Sequence, residues 1–203
     1  MDKERLDKLF DFFREIDKEK LITRQTYITD CVRKETDAEH AWHAALMCVL
    51  LAGYSNTEID VLKTVTMLLI HDVVEIDAGD TYAYDEEGKK TQRRREEKAA
   101  ERIFGILPDK EKEYLRSLWE EFEQGNTAEA RFAHVMDNIQ PLMLNDHTGG
   151  LAWREHGVAL EQVLKRNLIM PDGSETLWKY AYENIIMPNV KKGNLTQPET
   201  ECG

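Results

Sequence analysis

The sequence predicts an all-α protein folded as a single domain of about seven to eight helices, and three observations predict it. Apolar residues recur three and four positions apart through most of the chain. No segment alternates apolar and polar residues over the length of a strand. The 203 residues suit one domain with a sizeable core, and no linker divides them. Residues 1–190 are therefore expected to form the domain, and the stretch from Lys191 to Gly203, with Gly193 and Pro198, a disordered tail.

The elements follow in order. Leu6, Leu9, Phe10, Phe13 and Ile16 fall on one helical stripe, which predicts a first helix from about Lys3 to Lys18. Thr36-Asp37-Ala38-Glu39 reads as a capping box, starting a second helix just before His40 and carrying it to about Gly53. Ser55-Asn56-Thr57-Glu58 reads as another, opening a helix that ends soon after His71 and Asp72. Gly79 breaks the pattern, and the polar stretch Asp80 to Lys90 is expected to be a loop at the mouth of a site. Further helices are expected at about Thr91–Gly105, Asp109–Gln124, Thr127–Asn145, Glu155–Ile169 and Ser174–Met187.

Composition excludes several classes. A net charge of −12 and a pI near 5.0 argue against a binder of nucleic-acid polymers, whose affinity is carried by clustered Lys and Arg. Free nucleotides stay open, because one ion and a local cation can overcome a distant field. The longest apolar run, Ala44 to Gly53, is about half the ~20 residues of a membrane span, so no membrane partner is expected. Cys31, Cys48 and Cys202 show neither metal-binding nor redox spacing, and their odd number argues against a disulfide framework. With no signal peptide in view, a reducing cytoplasm is the expected compartment.

The most informative residues are His71 and Asp72, adjacent at the end of the apolar run Val65 to Ile70. On a helix, neighbouring side chains point about 100° apart, so the pair can grip an ion only beside the helix, with help from other segments. His40 upstream and Asp137 downstream can supply that help. Two imidazoles and two carboxylates make a mixed N/O set suited to one divalent cation: Mn, Co, Fe, Ni, Zn or Mg. Pro141 frees the carbonyl of Asp137, so it either turns that residue toward the others or marks an ordinary kink.

An isolated histidine, a His-Asp pair closing an apolar helix and a lone Asp in a later helix together resemble the HD-domain metal-dependent phosphohydrolases. The closer resemblance is to the single-domain branch related to bacterial and archaeal 5'-deoxynucleotidases, carried by Arg24 to Met47, His71 to Asp80 and Asp137 to Pro141. The resemblance implies an HD-domain helical bundle that hydrolyses (deoxy)nucleoside 5'-monophosphates to nucleoside and phosphate, and a homodimer. It implies His40, His71, Asp72 and Asp137 as ligands of one metal ion, with Glu75 as general acid or base and Arg24 on the phosphate. Gln25, Asp80, Thr81 and Tyr82 would then face the substrate. Asp80 matches a residue that selects against a ribose 2'-hydroxyl, but Gln25 stands where that branch carries Trp, which puts strict deoxy preference in question. Two alternatives keep the fold: another nucleotide substrate (triphosphate, cyclic or guanosine polyphosphate), or a ligand-sensing module without turnover.

His43 and His134 lie three residues from proposed ligands, on shared helix faces, and are expected to be half-buried structural groups. His147 and His156 are expected in a loop and at a helix start. The run Lys89 to Arg95 is unfavourable near a helix amino end, and is expected to be a solvated face or to pair with acidic neighbours. Trp42, Trp119, Trp153 and Trp178 are expected in the core or at a dimer contact.

Overall fold

The computed structural model describes residues 2–196, apart from the side chains of Glu86 and Lys89. Helix α1 (Lys3–Ile16) starts where the Asp2 carboxylate accepts from Arg5 N. It buries Phe12 and leaves Phe10 and Phe13 exposed, so the stripe expected to face inward faces partly outward. A 3₁₀ turn (Asp17–Leu21) leads to strand β1 (Thr23–Tyr27), which pairs antiparallel with β2 (Lys34–Thr36). The sequence reading missed this hairpin. Its strands are too short and too polar to show a period of two, and it holds together by backbone pairing, by Asp30 accepting from Val32 and Arg33 N, and by Arg33 gripping Glu39.

Helix α2 (Asp37–Leu51) begins at the expected capping box: Thr36 Oγ1 accepts from Glu39 N, and Glu39 Oε2 accepts from Thr36 N. Helix α3 (Val61–Ile70) begins later than expected, capped by Asp60 rather than Ser55. The reason is tertiary: Asn56 bonds Pro171 O, Asp172 O and Glu175 N, and so serves the carboxyl-terminal region instead of a helix start. After α3 the chain turns through His71 to Val74 into the short α4 (Glu75–Ala78).

The expected loop is shorter, because Asp85 caps helix α5 (Glu86–Phe104). Helices α6 (Asp109–Gln124) and α7 (Ala128–His147) lie close to expectation. The two later segments are broken up. Residues 151–166 form α8 (Leu151–Glu155) and α9 (Leu160–Arg166), parted at Gly157, whose φ of 59° a helix does not allow. Residues 170–191 form α10 (Met170–Gly173), α11 (Glu175–Ala181), a π turn (Tyr182–Ile186) and α12 (Met187–Lys191). The packed chain runs past the expected domain end: Leu195 is buried and Thr196 bridges Ala159, while the rest of the expected tail, residues 197–203, lies outside the described residues.

Helix α7 is central, with 12 of its 20 residues buried among α2, α3, α6 and α10. Met67, Leu68, Phe104, Trp119, Phe132 and Met136 fill the space around it. Truncating one of these, Phe132→Ala for example, costs about 3–5 kcal/mol. Gly173 brings α10 onto the α7 backbone, where a Cβ would stand 2.5 Å from Arg131 O. Among the described residues, no helix is long and apolar enough to cross a membrane.

Candidate active site

Three long helices meet at one buried corner. The capping box sets His40 in the first turn of α2, the end of α3 delivers His71 and Asp72, and the middle of α7 delivers Asp137. His40, His71 and Asp72 offer ligand atoms within 4.8 Å of one another. Asp137 Oδ1 lies 3.1 Å from His40 Nε2 and 3.7 Å from His71 Nε2.

The tautomers follow from the neighbours. Gln140 Nε2 donates to Glu35 at 2.8 Å, which turns Gln140 Oε1 to accept from His40 Nδ1 at 2.9 Å. His71 Nδ1 donates to Leu68 O at 2.8 Å. Both neutral imidazoles therefore present an Nε2 lone pair to Asp137, and His71 Nε2, also 3.2 Å from Asp72 Oδ2, is buried without a hydrogen-bond partner. Lone pairs facing carboxylate oxygens need a proton or a cation between them. The donor set thus fits a divalent metal. Without a metal a proton serves: burial works against charge on His71, but Asp72 and Asp137 outweigh it and push its pKa up to about 9. Asp137 is opposed by burial as well, yet its bonds to His40 and His71 hold it well below the usual carboxylate range.

Around this corner lies a ring of charge. Arg24, on β1, donates NH1 to Asp72 at 2.7 Å, with Asp37 at 3.5 Å and Glu35 at 3.6 Å. Glu75 opens α4, is buried, and leaves Oε2 without a partner. Burial raises its pKa, and Asp72, Asp37 and Asp80 add to the shift. Burial raises Asp80 and Asp37 likewise, and Arg24 opposes the shift in each.

The corner opens into a cavity of about 280 Å³. Arg24, Gln25, His71, Asp72, Glu75, Asp80, Thr81, Tyr82 and Asp137 line it, and His40 sits fully buried behind them. Gln25 Oε1 accepts from Lys34 at 2.7 Å, and Thr81 Oγ1 accepts from Arg95 at 2.8 Å, so both side chains already have polar partners. The Tyr82 ring packs on Tyr84 and His156. His134 also lines the cavity, bonded to Phe122 O, and half-buried His43 touches Gln140. His147 is exposed. The basic run pairs locally: Lys90 with Glu87, Arg93 with Glu97 and Glu123, and Arg95 with Ala78 O. Trp119 and Trp153 are core residues, while Trp42 is exposed.

Four residues of the site escaped the sequence reading: Glu35, Asp37, Gln140 and Arg166. Spacing could have found two of them, since Asp37 lies three before His40 and Gln140 three after Asp137. Arg166, at the end of α9, left no such trace. Its NH2 lies 3.4 Å from Asp137 Oδ2 and its side chain reaches the cavity.

A profile of the HD domain matches residues 16–178. The chain belongs to the HD domain family. Among solved structures, a predicted metal-dependent phosphohydrolase from Magnetospirillum magnetotacticum MS-1 is 44% identical to this HD protein. The match covers 95% of this chain and 96% of that one, with a TM-score of 0.90. A conserved hypothetical protein from Pyrococcus furiosus, 21% identical with a TM-score of 0.53 and covering 91% and 96% of the two chains, shares the fold alone. Among curated proteins, the human 5'-deoxynucleotidase HDDC2 is 29% identical over 136 residues, and that of Xenopus laevis is also 29% identical. The human match covers 66% of this chain and 65% of the relative, just under two thirds of its length, and the Xenopus match covers 66% of each.

Proposed function

We propose that this HD protein is a divalent-metal phosphohydrolase that converts (deoxy)nucleoside 5'-monophosphates to nucleoside and phosphate. The observation that carries the reading is the buried meeting of two Nε2 lone pairs with Asp72 and Asp137, beside Arg24 and Glu75 at the head of a cavity. The printed names of the relatives, a metal-dependent phosphohydrolase and 5'-deoxynucleotidases, support the reaction and the substrate class.

In this reading His40, His71, Asp72 and Asp137 hold the ion. A bound divalent cation supplies a Lewis acid for phosphoryl oxygens and lowers the pKa of water. Leu68 O and Gln140 fix the imidazole tautomers, so both lone pairs stay aimed before substrate arrives. Arg24, bonded to Asp72 with Asp37 and Glu35 nearby, presents its remaining donors to the phosphate. Glu75, buried among carboxylates, holds a proton at a carboxyl oxygen and can deliver it to the leaving 5'-oxygen. Asp80, Thr81 and Tyr82, after Gly79, form the wall facing the sugar.

Metal analysis of the purified protein, joined to phosphate release across a nucleotide panel, tests the reading. Release from 5'-monophosphates with a stoichiometric divalent ion is expected, and a metal-loaded protein that cleaves only triphosphates or cyclic nucleotides overturns the substrate assignment. We further infer a cytoplasmic homodimer. The exposed α2 residues Trp42, Leu46, Val49 and Leu50 support the interface, and the free thiols Cys31 and Cys48 fit a reducing compartment. Sedimentation of wild type and Trp42→Glu tests the dimer.

A further inference from the structure

We propose that Arg166 is a second phosphate-binding cation of the cavity, complementing Arg24. This assignment rests on the phosphohydrolase reading above. The two arginines stand in opposite circumstances. Arg24 has a side chain only 13% exposed, with carboxylates at 2.7, 3.5 and 3.6 Å, so its charge is largely spent on Asp72, Asp37 and Glu35. Arg166 has a side chain 37% exposed and, at the cavity, one carboxylate oxygen at 3.4 Å.

The charge balance of the cavity favours a second cation. Asp72, Asp80 and Asp137 line it as carboxylates, together with Glu75, which holds a proton in the reading above, Glu96, and Glu123, which pairs with Arg93. A phosphate monoester brings close to two further negative charges at neutral pH. One bound divalent ion and one guanidinium already enclosed by carboxylates are shared among Asp72, Asp80 and Asp137, which leaves little positive charge for that dianion. The guanidinium of Arg166 enters from α9, a different element from the β1 strand that carries Arg24, and touches Oδ2 of Asp137 while Oδ1 of the same carboxylate faces the two histidines. Its remaining N–H donors can therefore reach a phosphoryl oxygen beside Asp137, while Arg24 stands at Asp72. Two planar forks, one at Asp72 and one at Asp137, restrict rotation of a tetrahedral group more than either does alone.

Arg166 could instead serve only to position Asp137, and the test separates the two roles. Inorganic phosphate is titrated calorimetrically into metal-loaded wild type, Arg166→Gln and Arg166→Lys, with metal content measured in each. Nucleotide KM and inhibition by the uncharged product nucleoside are measured alongside. The expected result for Arg166→Gln is phosphate affinity and KM weakened at least about tenfold, the scale of a lost charge-assisted bond. Metal content and nucleoside inhibition should stay at wild-type values, and Arg166→Lys should recover part of the loss. Unchanged phosphate affinity in Arg166→Gln overturns the proposal. So does a loss that follows depleted metal, which marks a role through Asp137 alone. If Arg166→Gln does not fold, Arg166→Met takes its place, and unchanged phosphate affinity and KM in that uncharged variant overturn the proposal. If wild type binds phosphate but releases none from any nucleotide, the phosphohydrolase reading has failed while the phosphate titration still reports on Arg166.

Discussion

His40, His71, Asp72 and Asp137 are carried by the long helices α2, α3 and α7, whereas Arg24, Asp80 and Arg166 come from a two-stranded hairpin, an irregular segment and the end of a short helix. The first set is buried, and each imidazole is locked by a backbone or amide partner. The second set lines the cavity on short or irregular elements. In the proposed reading, chemistry that needs fixed lone pairs sits on rigid helices, and recognition sits where the chain can change without disturbing them.

Substitutions should separate the two regions. The largest effect is expected in the helical corner: His71→Ala and Asp72→Ala should each lose bound metal and all measurable turnover. Elemental analysis showing full occupancy in either would remove that residue from the ligand set. Glu75→Gln, at the border, should keep its metal while kcat falls at least ~100-fold, and a near-normal kcat would deny Glu75 a proton role. In the recognition wall, Arg24→Ala should lower kcat/KM by about 10–100-fold for every 5'-monophosphate alike; an effect limited to one base would place Arg24 on the base instead.

A subtler contrast concerns pH. In the metal-free protein the pKa of His71 is raised from 6.5 to about 9, so its stabilising charge is fully present below about 6.5 and is lost as pH rises through about 9. Buried Asp37 is also raised, and it too favours the fold less as pH rises. The Tm of chelated protein should fall between pH 6.5 and 9, while the gap to metal-saturated protein widens, because a metal needs the neutral imidazole. A chelated Tm that rises over this window would contradict the sign. The smallest effect is expected at Asp80. Wild type should favour deoxynucleotides over ribonucleotides, and Asp80→Ala should narrow that ratio by no more than ~1–3 kcal/mol. Matched substrate pairs giving equal ratios in both proteins would free the sugar from Asp80.

The same division explains what the sequence revealed. The helical residues were legible because each sits at a marked place: His40 just inside the Thr36–Glu39 box, His71 at the end of an apolar run, Asp137 in a long periodic helix. The hairpin was not, since Thr23–Tyr27 is polar and Lys34–Thr36 spans only three residues. The start of α3 was misplaced because Asn56 is committed to Glu175 and the Pro171–Asp172 carbonyls, a partnership more than a hundred residues away in sequence. Arg166 was invisible for a related reason: only the fold brings α9 against α7.

The contact of Gly173 with the Arg131 carbonyl has a consequence for biosynthesis. A growing chain releases His40, His71 and Asp72 early, but α7, which carries Asp137, finds its full set of neighbours only after α10 has emerged. At about 5–20 residues per second, the roughly one hundred residues between Asp72 and Gly173 take about 5–20 s to synthesise. The expected outcome is that ribosome-bound chains stalled before Met170 fail to retain a divalent ion that the released protein keeps. The order of synthesis would then guard a nascent histidine pair from closing around the wrong metal.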